Sequence, residues 1–249
     1  MILPKYDFQN ETFLVTGGSS GIGRQVCVEL AQNNANVIVV GRNEEHISDT
    51  KKLLDSERHI FYIYDLSKKS AIIELVGIIP ELRGLICSAG TVDFSASKFV
   101  SEEKLGNILQ INYSSVILLV SELLKKRKLL SSSSVVFISS IMANLGIKGN
   151  VLYAGSKGAL LSSSRVIALE LAAQKIRVNT ILPGMVKTPM YEQTVRILGA
   201  KNVEKDEEKY PLGYGEPIDV ANLCLFLLSD ASKWITGSSI TIDGGFSIS

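Results

Sequence analysis

Histidine is almost missing from this chain: His46 and His59 are the only two among 249 residues. Neither stands beside a serine or cysteine nucleophile signature, so neither a hydrolytic triad nor a zinc site is expected, and no bound metal is. Cysteine is scarce as well. Cys27, Cys87 and Cys224 are odd in number, far apart and set among apolar residues, which speaks for buried thiols in a reducing compartment rather than a disulfide framework or a metal cluster. Excess charge of either sign is also lacking, with 26 basic against 25 acidic residues. No long-range field exists to gather nucleic acid or an anionic membrane. The basic run Lys125-Lys126-Arg127-Lys128 reads as a solvated helix end that suits the negative end of the dipole. No uninterrupted apolar run approaches the length of a membrane span, and Met1 to Asp7 carries no basic stretch leading into an apolar core. A soluble cytoplasmic protein is expected. Nor does a long Pro/Gly/Ser linker divide the chain, so residues 1–249 are expected to form one domain.

What is present is an alternation. Strand patterns at Thr12 to Thr16, Val37 to Val40, Ile60 to Ile63, Gly84 to Cys87, Val135 to Ser139, Arg177 to Leu182 and Ile240 to Ile242 are short, apolar and β-branched. Between them run helical patterns from Ile22 to Leu30, Glu44 to Leu54, Glu102 to Lys128, Val151 to Gln174 and Glu216 to Leu228. Continuous apolar strands separated by helices predict a single doubly wound parallel α/β sheet of about seven strands with helices on both faces. Ser131 to Ser134 reads as a connection from helix to strand. The stretch from Met185 to Leu212 breaks the alternation just past a strand's carboxyl end, where such sheets bind ligands, and reads as a lid over a substrate.

Gly17-Gly18-Ser19-Ser20-Gly21-Ile22-Gly23 lies between the first strand and the first helix. Glycines there allow a tight turn that brings backbone amides and the positive helix end to a pyrophosphate. At the end of the second strand, where a carboxylate would favour NAD(H), the chain has Gly41-Arg42-Asn43. A guanidinium there pairs with a 2′-phosphate, so NADP(H) is expected over NAD(H). Tyr153 and Lys157, four residues apart at the start of a helix, share one face. A phenol needs a nearby cation if it is to ionise near neutral pH, and the lysine is placed to supply it.

Thr16-Gly17-x-x-x-Gly21-Ile22-Gly23 together with Tyr153-x-x-x-Lys157 resembles the short-chain dehydrogenase/reductase family. The likeness runs on through Arg177-Val178-Asn179, Pro183-Gly184, Thr188, Thr236-Gly237 and Asp243-Gly244-Gly245. It implies a Rossmann fold and a catalytic set of Asn112, Ser140, Tyr153 and Lys157. It also implies cofactor contacts from Asp65 and Leu66 at the adenine, Ser88-Ala89-Gly90 at the adenosine ribose, Lys157 at the nicotinamide ribose, and Pro183, Gly184, Val186 and Thr188 near the carboxamide. The chain departs from the family at Cys87-Ser88, where two asparagines are usual.

By this resemblance a hydride passes between nicotinamide and a carbonyl or secondary alcohol, Ser140 binds the oxygen, and Tyr153 transfers the proton. Within the family the general pattern is most similar to 3-oxoacyl-carrier-protein reductases. Sugar, polyol and steroid dehydrogenases are the alternative, and a non-catalytic cofactor-binding sensor is the alternative of another kind. A carrier-borne substrate calls for basic residues at the site mouth, for which Lys128 and Lys175 are candidates. Family members form dimers or tetramers through the two long helices, so a homo-oligomer is expected. Val116, Leu119 and Leu123 form either that outer stripe or the helix's inward face.

Overall fold

The computed structural model describes residues 6–54 and 57–249. In chain order the elements are β1 (Thr12–Thr16), α1 (Gly21–Gln32), β2 (Asn36–Gly41), α2 (Glu44–Leu53), β3 (Ile60–Ile63), α3 (Lys69–Ile78) and β4 (Leu82–Cys87). They continue with α4 (Glu102–Leu109), α5 (Ser115–Lys125), β5 (Leu129–Ile138), α6 (Val151–Leu171), β6 (Arg177–Pro183), α7 (Pro189–Leu198), α8 (Ala200–Glu207), α9 (Pro217–Leu228) and β7 (Ser239–Ile242). The strands form one parallel sheet in the order β3-β2-β1-β4-β5-β6-β7, as the alternation predicts.

The strands are apolar at successive positions because both faces are covered. Phe13, Val15, Val37 and Val39 point to the layer holding Val26, Cys27 and Leu30 of α1 and Val220, Cys224 and Leu228 of α9. Leu14, Ile38, Val40 and Leu85 point the other way, onto Ile72 and Leu75 of α3, Leu119 and Leu123 of α5, and Leu160 of α6. With period-two side chains, each strand feeds two cores at once. Val116, Leu119 and Leu123 are therefore buried against the sheet, which settles their stripe as inward and removes it as an oligomer face. The run Glu102–Lys125 has the length and hydropathy of a membrane span, yet these same residues build the second core.

Two sequence expectations change. The helix expected over Glu102 to Lys128 ends at Lys125 and is interrupted by a π turn at Gln110–Ser114. Ser131 to Ser134 lies inside β5 rather than before it. The register there jumps from Leu82↔Leu129 to Gly84↔Ser134, and the Ser134 hydroxyl donates to the Leu227 carbonyl at 2.7 Å. A hydroxyl satisfied by a neighbouring helix makes a buried serine acceptable in a strand.

Candidate active site

All seven strands end on the same edge of the sheet, and a cleft of about 680 Å³ crosses that edge where the order reverses between β1 and β4. Open α/β sheets bind ligands at such a point. The turn from β1 to α1 forms one wall. Gly17 has φ +69°, and a Cβ there would lie 2.7 Å from the Ala89 amide nitrogen; one on Gly23 would lie 2.3 Å from the Gly17 carbonyl oxygen. Only glycine lets these backbone segments close on one another. The first turn of α1 has no acidic residue, so its positive end faces the cleft unopposed. This cradle fits the pyrophosphate of a dinucleotide.

Of the residues expected to bind cofactor, Gly17, Ser19, Ser20, Gly21, Ile22, Arg42, Asn43, Asp65, Leu66, Ser88, Ala89, Gly90, Tyr153, Lys157, Pro183, Gly184, Val186 and Thr188 all line the cleft. Gly23 does not; it packs behind the turn. Arg42 is exposed at the end of β2, and Asn43 caps α2 by accepting from the His46 amide at 2.8 Å. Asp65 accepts from the Ser67 hydroxyl at 2.7 Å and its amide at 3.1 Å. The hydroxyl contact, with Lys68 and Arg42 nearby, holds its carboxyl below the ordinary range. His46 also lines this end, a position that the sequence, which speaks only against a hydrolytic triad or zinc site at the histidines, gives no sign of.

Of the four residues expected to be catalytic, Ser140, Tyr153 and Lys157 line the cleft. Tyr153 and Lys157 lie one turn apart on α6, and Ser140 lies two residues past the end of β5. Burial raises the Tyr153 phenol above its usual range, and a hydrogen bond with Ser140 opposes the rise. Lys157 is buried, donates from Nζ to the Ile138 carbonyl at 2.8 Å and sits 5.8 Å from the Tyr153 ring centre. Burial lowers its ammonium to about 8, while the neighbouring Cys87 acts in the opposite direction. Ser139 and Ser140 both line the cleft, but the Ser139 hydroxyl donates to the Lys157 carbonyl at 3.0 Å, whereas the Ser140 hydroxyl bonds with Tyr153.

Asn112 is buried within the π turn and does not line the cleft. Its Oδ1 accepts from the Thr91 amide at 2.8 Å, and its Nδ2 donates to the Thr91 carbonyl at 2.9 Å and to Ser156 Oγ at 3.0 Å. Ser156 Oγ in turn donates to the Tyr153 carbonyl at 2.8 Å. The amide thus clips the loop after β4 to the helix that carries Tyr153. Ser156 was not singled out from sequence, because a serine between Tyr153 and Lys157 has no visible partner until the π turn is in place.

Lys128 and Lys175 precede β5 and β6 and so lie at the edge opposite the cleft. Lys128 Nζ donates to the Ile79 carbonyl at 2.5 Å. Neither basic residue stands at the mouth, because both occupy turns leading into strands and the site lies where strands end.

The stretch 185–212 folds as α7 and α8 against the cleft. Met190, Tyr191 and Thr194 on α7 and Asn202, Val203 and Asp206 on α8 line it, each trio at i, i+1, i+4 spacing on one helix face. Val203, Tyr210 and Tyr214 form a small separate core with Met185, Tyr191 and Phe246. Among the described residues no group of three or more His, Cys, Asp or Glu is placed to hold a metal ion.

A family model described as "Enoyl-(Acyl carrier protein) reductase" matches residues 17–247. The chain is 32% identical over 240 residues to the 3-oxoacyl-(acyl-carrier-protein) reductase FabG of Rickettsia felis, covering 96% of this chain and 98% of that protein. It is 33% identical over 250 residues to the L-xylulose reductase of Caenorhabditis elegans, covering 97% and 98%. A crystal structure from Brucella melitensis, described as a short-chain dehydrogenase/reductase of the glucose/ribitol dehydrogenase kind, matches with a TM-score of 0.92. Its identity is 27%, over 98% of this chain and 100% of that one.

Proposed function

The chain belongs to the short-chain dehydrogenase/reductase family of oxidoreductases acting on carbonyl and alcohol groups, and from that premise we propose an NADP(H)-dependent ketone reductase of the 3-oxoacyl-thioester type. The observation that carries the reading is the convergence of Ser140, Tyr153 and Lys157 in one cleft beside the glycine cradle. Ser140 holds the substrate oxygen, and Tyr153 donates its hydroxyl proton to it. Lys157 stabilises the phenolate left behind, and Asn112 holds the loop and helix in register from outside the cleft. When bound, the nicotinamide supplies the hydride.

Arg42, with no carboxylate at the end of β2, supports NADP(H). Three free thiols, Cys27, Cys87 and Cys224, all buried, support a cytoplasmic site of action. The sugar- or polyol-dehydrogenase reading is favoured by the L-xylulose reductase and the glucose/ribitol dehydrogenase-like structure, whereas the thioester reading is favoured by the 3-oxoacyl-(acyl-carrier-protein) reductase relative. For a homo-oligomer the outer stripe of α6 is the candidate contact: Val151, Gly155, Ser162, Val166 and Leu169 recur at helical spacing and are exposed. With Lys128 and Lys175 at the wrong edge, a carrier protein would dock without them.

NADPH oxidation with the N-acetylcysteamine thioester of acetoacetate tests the reading. Tyr153→Phe is expected to lose about a hundredfold or more in kcat while keeping NADPH affinity, and Arg42→Ala to weaken NADPH about tenfold with little change for NADH. Retained turnover in the phenylalanine variant would remove Tyr153 as the acid. Tight NADPH binding without turnover on any ketone would point to a sensor.

A further inference from the structure

Charge divides the cleft unevenly. Among the described residues that line it, the side chains able to carry a positive charge are Arg42, His46 and Lys157. Arg42 and His46 belong to β2's end and α2, on the cofactor side. Lys157 sits at the junction, buried, with Nζ committed to the Ile138 carbonyl. From Tyr153 outward to α7 and α8, the wall sets apolar side chains such as Phe94, Met142, Ile147, Met185, Met190 and Val203 among uncharged polar ones, the amides of Asn150, Gln193 and Asn202 and the hydroxyls of Tyr191, Thr194, Tyr210 and Tyr214, with one carboxylate, Asp206.

The lid is not short of cations; it turns them outward. Lys187 Nζ reaches Glu207 at 3.6 Å and Glu216 at 3.9 Å, Arg196 reaches Glu192 at 3.7 Å, and Lys201 and Lys205 are exposed on α8. Asp206 alone among the charged residues of α7 and α8 lines the cleft. Its Oδ2 accepts from the Tyr214 hydroxyl at 3.2 Å, and its Oδ1 meets Lys209 Nζ at 2.8 Å on the solvent side.

We propose that the substrate end of this cleft takes an uncharged ketone with an apolar body and rejects ketones bearing a carboxylate or phosphate near the reacting carbon. The inference rests on the reductase reading and adds the substrate's charge class to it. An anion placed against this wall loses hydration and gains no cation in return, since uncharged hydroxyls and amides replace only part of what water supplied, and it shares the space with Asp206. A neutral acyl chain loses nothing polar and buries apolar area. The lid helices, with cations outside and an acid inside, are the specificity-determining segment.

The test compares kcat/KM for methyl acetoacetate with that for acetoacetate in the NADPH-loaded protein, two substrates that share the reacting ketone and differ in charge. The ester is expected to be favoured about tenfold or more. Asp206→Asn is expected to narrow that ratio about threefold, a modest change because Lys209 already screens the carboxylate. Gln193→Lys, which puts a cation on the wall, is expected to narrow it further. Equal efficiency with acid and ester, or a ratio unmoved in both variants, overturns the proposal while leaving the reductase intact. Absence of turnover on either ketone, with NADPH still bound, overturns the reductase reading and the inference with it.

Discussion

The two halves of the cleft are made of different material. The cofactor half is backbone: at Gly17 and Gly23 added Cβ atoms would stand 2.7 and 2.3 Å from main-chain atoms, and the adjoining walls are strand ends locked in a parallel ladder. The other half, the proposed lid, is side chain: two short helices, α7 and α8, set a few residues against a small aromatic core of Tyr210, Tyr214 and Phe246. Backbone packed to contact admits one residue type, whereas a helix face accepts many side chains of suitable size. The first half is thus suited to a constant ligand and the second to a substrate that differs among relatives of one fold.

The contrast is tested hardest at Gly23. In Gly23→Ala the new methyl meets the Gly17 carbonyl, and neither atom can move without opening the turn. Overpacking of this kind costs about 1–3 kcal/mol, so NADPH affinity is expected to fall about ten- to a hundredfold, read by quenching or enhancement of nicotinamide fluorescence. Undiminished affinity would show that the turn yields as readily as the lid, and the division between halves would fail.

Lys157 stands where the halves join, and its burial is a cost carried by the folded state. Its folded pKa of about 8 lies below its ordinary value of 10.5, so between those values the unfolded chain holds the proton more firmly. Below pH 8 the penalty is present in full, and it is relieved as pH rises from 8 to 10.5. Relative to Lys157→Met, the wild-type protein is therefore expected to gain stability across that range, by about 3 kcal/mol in urea unfolding. A difference that stays flat with pH would mean that the ammonium is hydrated in the folded protein.

What was legible in the sequence follows the same division. The strands and the glycine turn were readable because their rules are local: period-two apolar runs, and a steric demand that only glycine meets. Tyr153 and Lys157 were readable because four-residue spacing fixes a shared helix face. The π turn was not, since it depends on Asn112 reaching Thr91, twenty-one residues back, and Ser156, forty-four ahead. Ser131 to Ser134 misled because a polar run reads as a loop, while the partner that makes Ser134 acceptable, the Leu227 carbonyl, lies ninety-three residues away. Helix α3 was passed over, although Ile72, Leu75 and Val76 keep i, i+3, i+4 spacing. The stretch 185–212 was recognisable as an interruption, but which faces of α7 and α8 turn inward depends on contacts with Tyr210 and Tyr214 that no local pattern encodes.

The smallest effect belongs to the lid. Val203 is buried, lines the cleft and packs with Tyr210 and Tyr214, so Val203→Ala removes two methyl groups from a wall that a bound ketone is expected to touch. Contact of that kind is made equally in the ground state and the transition state, and its loss raises KM without lowering kcat. A two- to fivefold rise in KM for methyl acetoacetate is expected, about 0.5–1 kcal/mol of apolar contact, with kcat and NADPH affinity nearly unchanged. If NADPH affinity falls as well, the lid helps to assemble the glycine cradle, and the two halves are one cooperative unit rather than a fixed half and a variable one.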